Sequence, residues 1–195
     1  MESKRDLTRE LLADCFKSLM LTTPFEKITI KMITDRAGLI RPTFYKHFQD
    51  KYEVLEWIFV TEIIDPVRLL LQNHMEREAI VMFCKCLEKD KKFYRRAYTV
   101  DGPNSFDNLM QRYVSSLILK YIELHPLCKV GAPPAATEDF AAAYYTYGLI
   151  NIIREWIIKD MSCSAEELAD THSYFLRAAA AAFSRDEVPK SDARR

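Results

Sequence analysis

Glycine is scarce in this chain: the 195 residues contain 4, and none belongs to a Gly-rich run. A glycine loop that cradles phosphate is thereby excluded, and no nucleophile elbow of the G-x-S-x-G kind occurs. Long apolar runs are missing as well. No stretch of 18 uncharged apolar residues exists, which excludes a membrane-spanning helix. The opening residues MESKRDLTRE have no apolar core behind their charges, so no secretory signal is expected. A disulfide framework is absent too: Cys15, Cys84, Cys86, Cys128 and Cys163 are odd in number and irregularly spaced. Reduced thiols in a cytoplasmic protein are the expectation. Nor is there an excess of either charge, since 28 basic residues face 28 acidic ones, which argues against a general polycation.

What remains is an ordinary globular composition, 49% hydrophobic and 29% charged, long enough to bury a sizeable core. With so little glycine and only 8 prolines, and with stretches rich in Leu, Ala, Glu and Lys, helix is favoured almost everywhere. The expected class is all-α.

Positive charge concentrates in one place. Between Thr29 and Lys51 lie Lys31, Arg36, Arg41, Lys46 and Lys51 against Asp35 and Asp50 only. The same stretch carries Ile30, Ile33 and Ala37 on one helical face. Thr29 offers an N-cap and Gly38 a left-handed stop. A second helix resumes around Arg41-Pro42, with Pro42 in its first turn and Phe44 and Phe48 four apart on its buried side. Two short helices joined by a glycine turn form a helix-turn-helix unit, whose second helix fits a DNA major groove. Arg41, Thr43, Tyr45, Lys46 and His47 point outward from it, and each can donate a hydrogen bond to a phosphate or base edge.

Before this unit, Lys4 to Leu21 reads as an amphipathic helix whose stripe is Leu7, Leu11, Leu12, Phe16, Leu19 and Met20. Phe25 and Ile28 are expected to plug the three-helix unit from below. After it, Asp50 begins a capping box with Glu53, and the helix it opens should kink or stop near Asp65, ahead of Pro66. Helical segments follow over 77–100, 105–124, 137–161 and 164–183, the last opened by a Ser164–Glu167 capping box; 125–134 reads as a loop. The expected domains are 1–50, a helix-turn-helix DNA-binding domain; 51–183, a helical regulatory and dimerisation domain; and 184–195, a polar tail read as disordered.

The helix over 137–161 is apolar around most of its circumference. Together with its small-residue neighbour it is expected either to be buried in a monomer or to pair with its own copy, through Tyr144, Gly148, Ile152, Phe175, Ala179 and Ala182. Trp57, Phe83, Tyr94, Tyr98, Phe106, Tyr113 and Tyr147 are candidates for an apolar ligand pocket, with simple core packing as the alternative for most of them. His125 with Cys128, Cys84 with Cys86, and His74 match no compact zinc spacing. No metal, cofactor or catalytic residue is therefore assigned, and an enzyme is not expected.

The segment AGLIRPTFYKHFQDKYEVL resembles the DNA-binding signature of the TetR family of bacterial transcription regulators. Phe25, Thr29, Ile33, Ala37, Gly38, Thr43, Phe44, Tyr45, Phe48, Lys51 and Leu55 stand at the matching positions. A fainter similarity, in HFQDKYEVLEWIF and IIREWI, is to the branch that regulates dihydroxyacetone kinase operons. The resemblance implies that Arg41, Pro42, Thr43, Tyr45, Lys46 and His47 lie on the recognition helix, with Arg41, Thr43 and Lys46 reading bases. Thr29, Tyr45, His47 and Lys51 would hold phosphates, and Lys31 belongs to the same surface. Ile40 and Pro42 depart from the family's Ser and Gly, which shifts the expected helix start one residue later. The implied protein is a homodimeric repressor on a palindromic double-stranded operator, cytoplasmic and independent of membranes, switched by a small effector or a protein co-regulator. A partner-dependent activator and a helical interaction adaptor are the alternatives.

Overall fold

The computed structural model describes residues 4–125 and 133–184, with side chains described as far as 175. The expected loop beyond His125 and the tail beyond Ser184 therefore lie largely outside the described residues. Every regular element described is helical, as the composition predicts. No described helix is long and apolar enough to cross a membrane.

Helix α1 (Lys4–Met20) packs on α2 (Ile30–Ala37) and on α4 (Lys51–Phe59), with the short α3 (Arg41–Tyr45) set against α2. Leu12, Phe16, Leu19 and Met20 are buried, but Leu7 and Leu11 are exposed. The predicted α1 stripe is thus rotated toward Ala13 and Cys15, because the covering elements reach only that side. Phe25 and Ile28 close the unit as expected, Phe25 meeting Phe16 edge-on at 6.2 Å between ring centres.

Pro66 does not end the long helix. From Lys51 the backbone stays helical through α4, a π-helical turn Val60–Ile64 and α5 (Asp65–Gln72). A proline lacks the N–H that would bond the carbonyl four residues back, and its ring crowds that carbonyl. The wider π turn absorbs both defects: Asp65 donates its N–H to the Val60 carbonyl five residues back, and the helix continues.

The remaining helices are α6 (Glu76–Lys89), α7 (Lys91–Ala97), α8 (Phe106–Leu124), α9 (Glu138–Ile158) and α10 (Ala165–Ser184). Caps set their starts: Ser105 accepts from the Asn108 N–H, Thr137 from Phe140, and Ser164 from Glu167, whose carboxylate returns a bond to the Ser164 N–H. Helix α8 lies along α9, while α6 packs on both α5 and α10. One continuous apolar cluster runs from Leu12 through Phe59, Tyr94 and Phe106 to Leu168. The helix-turn-helix unit is therefore packed onto the rest of the molecule through a shared core.

Candidate nucleic-acid interface

The turn between α2 and α3 is built by local chemistry. Thr29 Oγ1 accepts the Met32 N–H at 3.2 Å and starts α2. Gly38, at φ 65°, ends it: Leu39 donates to the Thr34 carbonyl and Gly38 to that of Asp35, a Schellman closure. Buried Thr34 turns its hydroxyl back onto the carbonyls of Ile30 and Lys31. Helix α3 begins at Arg41, not a residue later. Ile40 caps it without a side-chain bond, its carbonyl accepting from Thr43, and Pro42 occupies the first turn, where no N–H is needed.

Phe44 and Phe48 are buried and anchor α3. On the opposite side Arg41, Pro42, Tyr45 and Lys46 are exposed, as are Thr29 and Lys31 beside them, while Thr43 and His47 are half-buried. Arg41 Nη2 donates to the Tyr45 hydroxyl at 3.2 Å, which holds the two side chains together. Lys31 makes a loose surface pair with Asp35 at 3.5 Å. Ile40, 67% exposed, adds an apolar side chain to this face that the sequence reading did not assign to it.

Two expected phosphate holders are placed otherwise. Lys51 Nζ donates to three carbonyls, Phe25 at 2.7 Å, Ile28 at 3.0 Å and Glu26 at 3.2 Å, and rides over the Phe25 ring at 4.4 Å. An ammonium has three N–H groups, and all are spent on this internal turn. Burial pushes its pKa down, against the pull of Glu26 and Asp50. His47 is held below the usual imidazole value by burial first and then by Arg5, Arg9 and Lys46. Arg9, which the sequence reading passed over, donates to the His47 carbonyl at 3.3 Å and lies over the Phe48 ring at 5.6 Å, supporting the turn after α3 from α1.

A second feature lies among α5, α6, α8, α9 and α10. A cavity of about 510 Å³ is lined mainly by aliphatic side chains, among them Val67, Leu71, Ile80, Val114, Leu117, Ile118 and Leu149, with Phe83 and Tyr145. Its polar wall holds Glu76, Tyr121, His125 and His172, whose buried Nδ1 has no hydrogen-bond partner among the described residues. Of the aromatics expected to line a pocket, only Phe83 does so here. Tyr94 and Phe106 are fully buried core, and Tyr98 packs on Phe106 at 5.0 Å. Trp57 meets Phe48, and the Tyr113 hydroxyl donates to Glu56 at 2.6 Å; both border a separate polar depression near Gln49 and Glu53. Tyr147 is 56% exposed on the outer side of α9. Helical periodicity marked these residues as apolar-facing, but only tertiary packing decides between core and void.

The third feature is that outer side. Phe140, Tyr144, Tyr147, Ile152 and Ile158 on α9, with Tyr174 and Phe175 on α10, leave an exposed apolar face, and Gly148 lies exposed within it. A Cβ added at Gly148 would meet nothing within 4 Å. Ala179 and Ala182 continue along α10, but their side chains are outside the described residues.

Comparison with known proteins agrees with this geometry. Residues 17–58 match the model for bacterial regulatory proteins of the tetR family, and residues 77–178 match one for a transcriptional regulator C-terminal region. The HTH-type dhaKLM operon transcriptional activator DhaS of Lactococcus lactis subsp. lactis (strain IL1403) is 26% identical over 98 residues, covering 50% of this chain and 52% of that protein. The chain thus aligns with about half the length of this relative. Among solved structures, the dihydroxyacetone kinase operon activator DhaS superposes with a TM-score of 0.63 at 23% identity, over 89% of this chain and 96% of that one. The fatty acid degradation regulator FadR from Bacillus halodurans does so at 0.59 and 15%, over 88% and 93%. A SmeT complex with triclosan gives 0.60 and 18%, over 85% and 89%. At these identities the superpositions speak for the fold. The family-model matches, one of them spanning more than half the chain, place this protein in the tetR family of bacterial regulatory proteins.

Proposed function

We propose that this chain regulates transcription by binding a palindromic operator as a homodimer, acting in the cytoplasm. The division of labour falls at Asp50: residues 1–50 read DNA, and 51–183 sense a signal and hold the dimer. The observation that carries this reading is the outward row of α3 and its C-terminal end, where Arg41 and Lys46 are exposed and Thr43 half-buried. Arg41, Thr43 and Lys46 provide donors for guanine or phosphate oxygens, and Ile40 supplies an apolar contact of the kind a thymine methyl accepts. Thr29, Lys31, Pro42 and Tyr45 flank it as backbone contacts. Lys51 and His47 are left out of this set, since one is spent on carbonyls and the other is kept from carrying charge by burial and its cationic neighbours.

The apolar face of α9 and α10 is proposed as the dimer seam, which sets the distance between two copies of α3. The cavity is proposed as the effector site. Its apolar wall and the His172 nitrogen, without a partner among the described residues, suit a hydrophobic molecule with one hydrogen-bonding end. One of the similar structures is a complex of SmeT with triclosan. Occupancy would shift the equilibrium between binding-competent and incompetent spacings. Repression is the primary reading. Activation is the second, because the Lactococcus relative is named an activator.

Fluorescence anisotropy on labelled duplex fragments tests the proposal. Arg41→Ala with Lys46→Ala should abolish retention of operator fragments while leaving the fold intact. A helical adaptor would keep its partner affinity unchanged in that variant.

A further inference from the structure

Among the described residues three helices end in the same Schellman geometry, with a left-handed residue and the two reverse bonds. Gly38 fills that place after α2, Asp160 after α9 and His74 after α5. Glycine takes the conformation freely, whereas a residue with a Cβ is disfavoured there. Asp160 uses its position: its carboxylate meets Arg95 at 2.8 Å and Lys91 at 3.0 Å, tying α7 to α9. His74, at φ 57°, turns its ring toward the end of α8, where Nδ1 lies 3.1 Å from Nε2 of His125.

The surrounding contacts prepare these nitrogens. His125 Nδ1 lies 3.1 Å from the Tyr121 carbonyl, which can only accept, so Nδ1 carries the proton and Nε2 presents a lone pair toward His74. The Tyr121 ring stacks on the His125 ring at 4.4 Å, and its hydroxyl donates to Glu76 Oε1 at 3.1 Å. Ligand atoms of His74, Glu76 and His125 all lie within 4.8 Å of one another. Two imidazoles and a carboxylate, His125 and Glu76 steadied by Tyr121 and His74 by its left-handed backbone, form the donor set of a zinc site with an open fourth position.

We propose that His74, Glu76 and His125 bind a first-row divalent cation, with zinc as the best match. The ion takes the place of the hydrogen bond between the two imidazoles: His74 binds through Nδ1 in the tautomer that carries its proton on Nε2, and water completes the coordination. It joins the turn between α5 and α6 to the end of α8, at the polar wall of the cavity. Tyr121 is a positioning residue that touches two of the three ligands. This assignment stands on its own geometry, whatever the protein's behaviour on DNA.

The test is metal titration of the full chain after dialysis against a chelator, with Zn²⁺ competed against a chromophoric chelator and Co²⁺ followed by its visible absorption bands. One equivalent per chain is expected, with a melting temperature that rises with zinc. His74→Gly is the informative variant. It relieves the left-handed backbone, so the apo protein should melt at least as high as the parent while zinc affinity falls by at least tenfold. His125→Ala should lose affinity likewise, and Tyr121→Phe should weaken it by about tenfold. The proposal is overturned if less than one equivalent binds, or if His74→Gly and His125→Ala bind zinc as the parent does, which would put the ion on cysteines instead.

Discussion

Lys17 on α1 and Glu62 in the π turn meet at 2.9 Å, and the same ammonium also bonds the Asp90 carboxylate at 2.5 Å. One mostly covered cation thus joins the helix behind the recognition unit to the middle of the long helix and to the α6–α7 junction. Burial works against its charge, but the hydrogen bonds with Asp90 and Glu62 outweigh it and raise its pKa above the ordinary lysine value.

Lys17→Met should therefore destabilise the fold by about 1–3 kcal/mol, because two acidic groups lose their shared partner. Denaturant melts measure this. The stabilisation is complete below the unfolded lysine value of about 10.4 and is lost as pH rises through the higher folded value. The parent should thus show a steeper alkaline loss of stability than the variant.

The acid limb has the opposite sign. Asp160 is held below the usual carboxylate range by its hydrogen bond to Lys91, then by Arg95, and Glu166 by Lys85. Their contribution is present above the unfolded carboxylate values and fades as pH falls through the lower folded ones. Asp160→Asn should lower the melting temperature at pH 7 and leave it nearly unchanged near pH 2.

Lys46 and Lys51, both basic residues of the same charged stretch, should separate in experiment. Lys46→Ala removes an exposed cation from the α3 face, so DNA affinity should fall, with a salt slope smaller by about 1 and an unchanged melting temperature. Lys51→Met strips three carbonyls of their donor, so the melting temperature should fall first and DNA affinity only with it. Parallel melts and anisotropy titrations distinguish the two.

Gly148 gives a paired test of the proposed seam. Gly148→Ala should stabilise α9 by roughly 0.5–1 kcal/mol through helix propensity. Gly148→Leu should shift the dimer toward monomer, as read by sedimentation, without loss of helicity.

The cysteines offer a simpler check. Burial pushes the Cys84 thiol up to about 12. It should resist alkylation at pH 8 in the native state and react on unfolding, as followed by mass spectrometry.

The parts legible in the sequence were those set by neighbours along the chain. The Thr29 cap, the Gly38 stop, the Asp50 cap and the Phe44–Phe48 pair each depend on residues within about one helical turn, and each stands in the structure. What escaped depends on distant partners. Lys51 finds carbonyls at Phe25, Glu26 and Ile28, and His74 finds His125, 51 positions along. The cavity's aliphatic lining is assembled from side chains of α5, α6, α8 and α9, which periodicity within one helix cannot report. Leu7 and Leu11 fit the pattern of a buried stripe, yet no described helix covers them and both are exposed. Pro66 signalled a break correctly in chemistry but not in outcome, since a π turn could absorb it.

The central claim is that two copies of α3, held at a fixed distance by self-association, read a symmetric site in duplex DNA. In vitro footprinting of the purified protein across bacterial genomic DNA tests it most directly. The account predicts a small set of protected sites, each an inverted repeat with half-sites about 10 base pairs apart or a multiple of that, and their loss in the Arg41→Ala, Lys46→Ala variant. Absence of protected sites at low salt, or protection without symmetry that the variant retains, would contradict it.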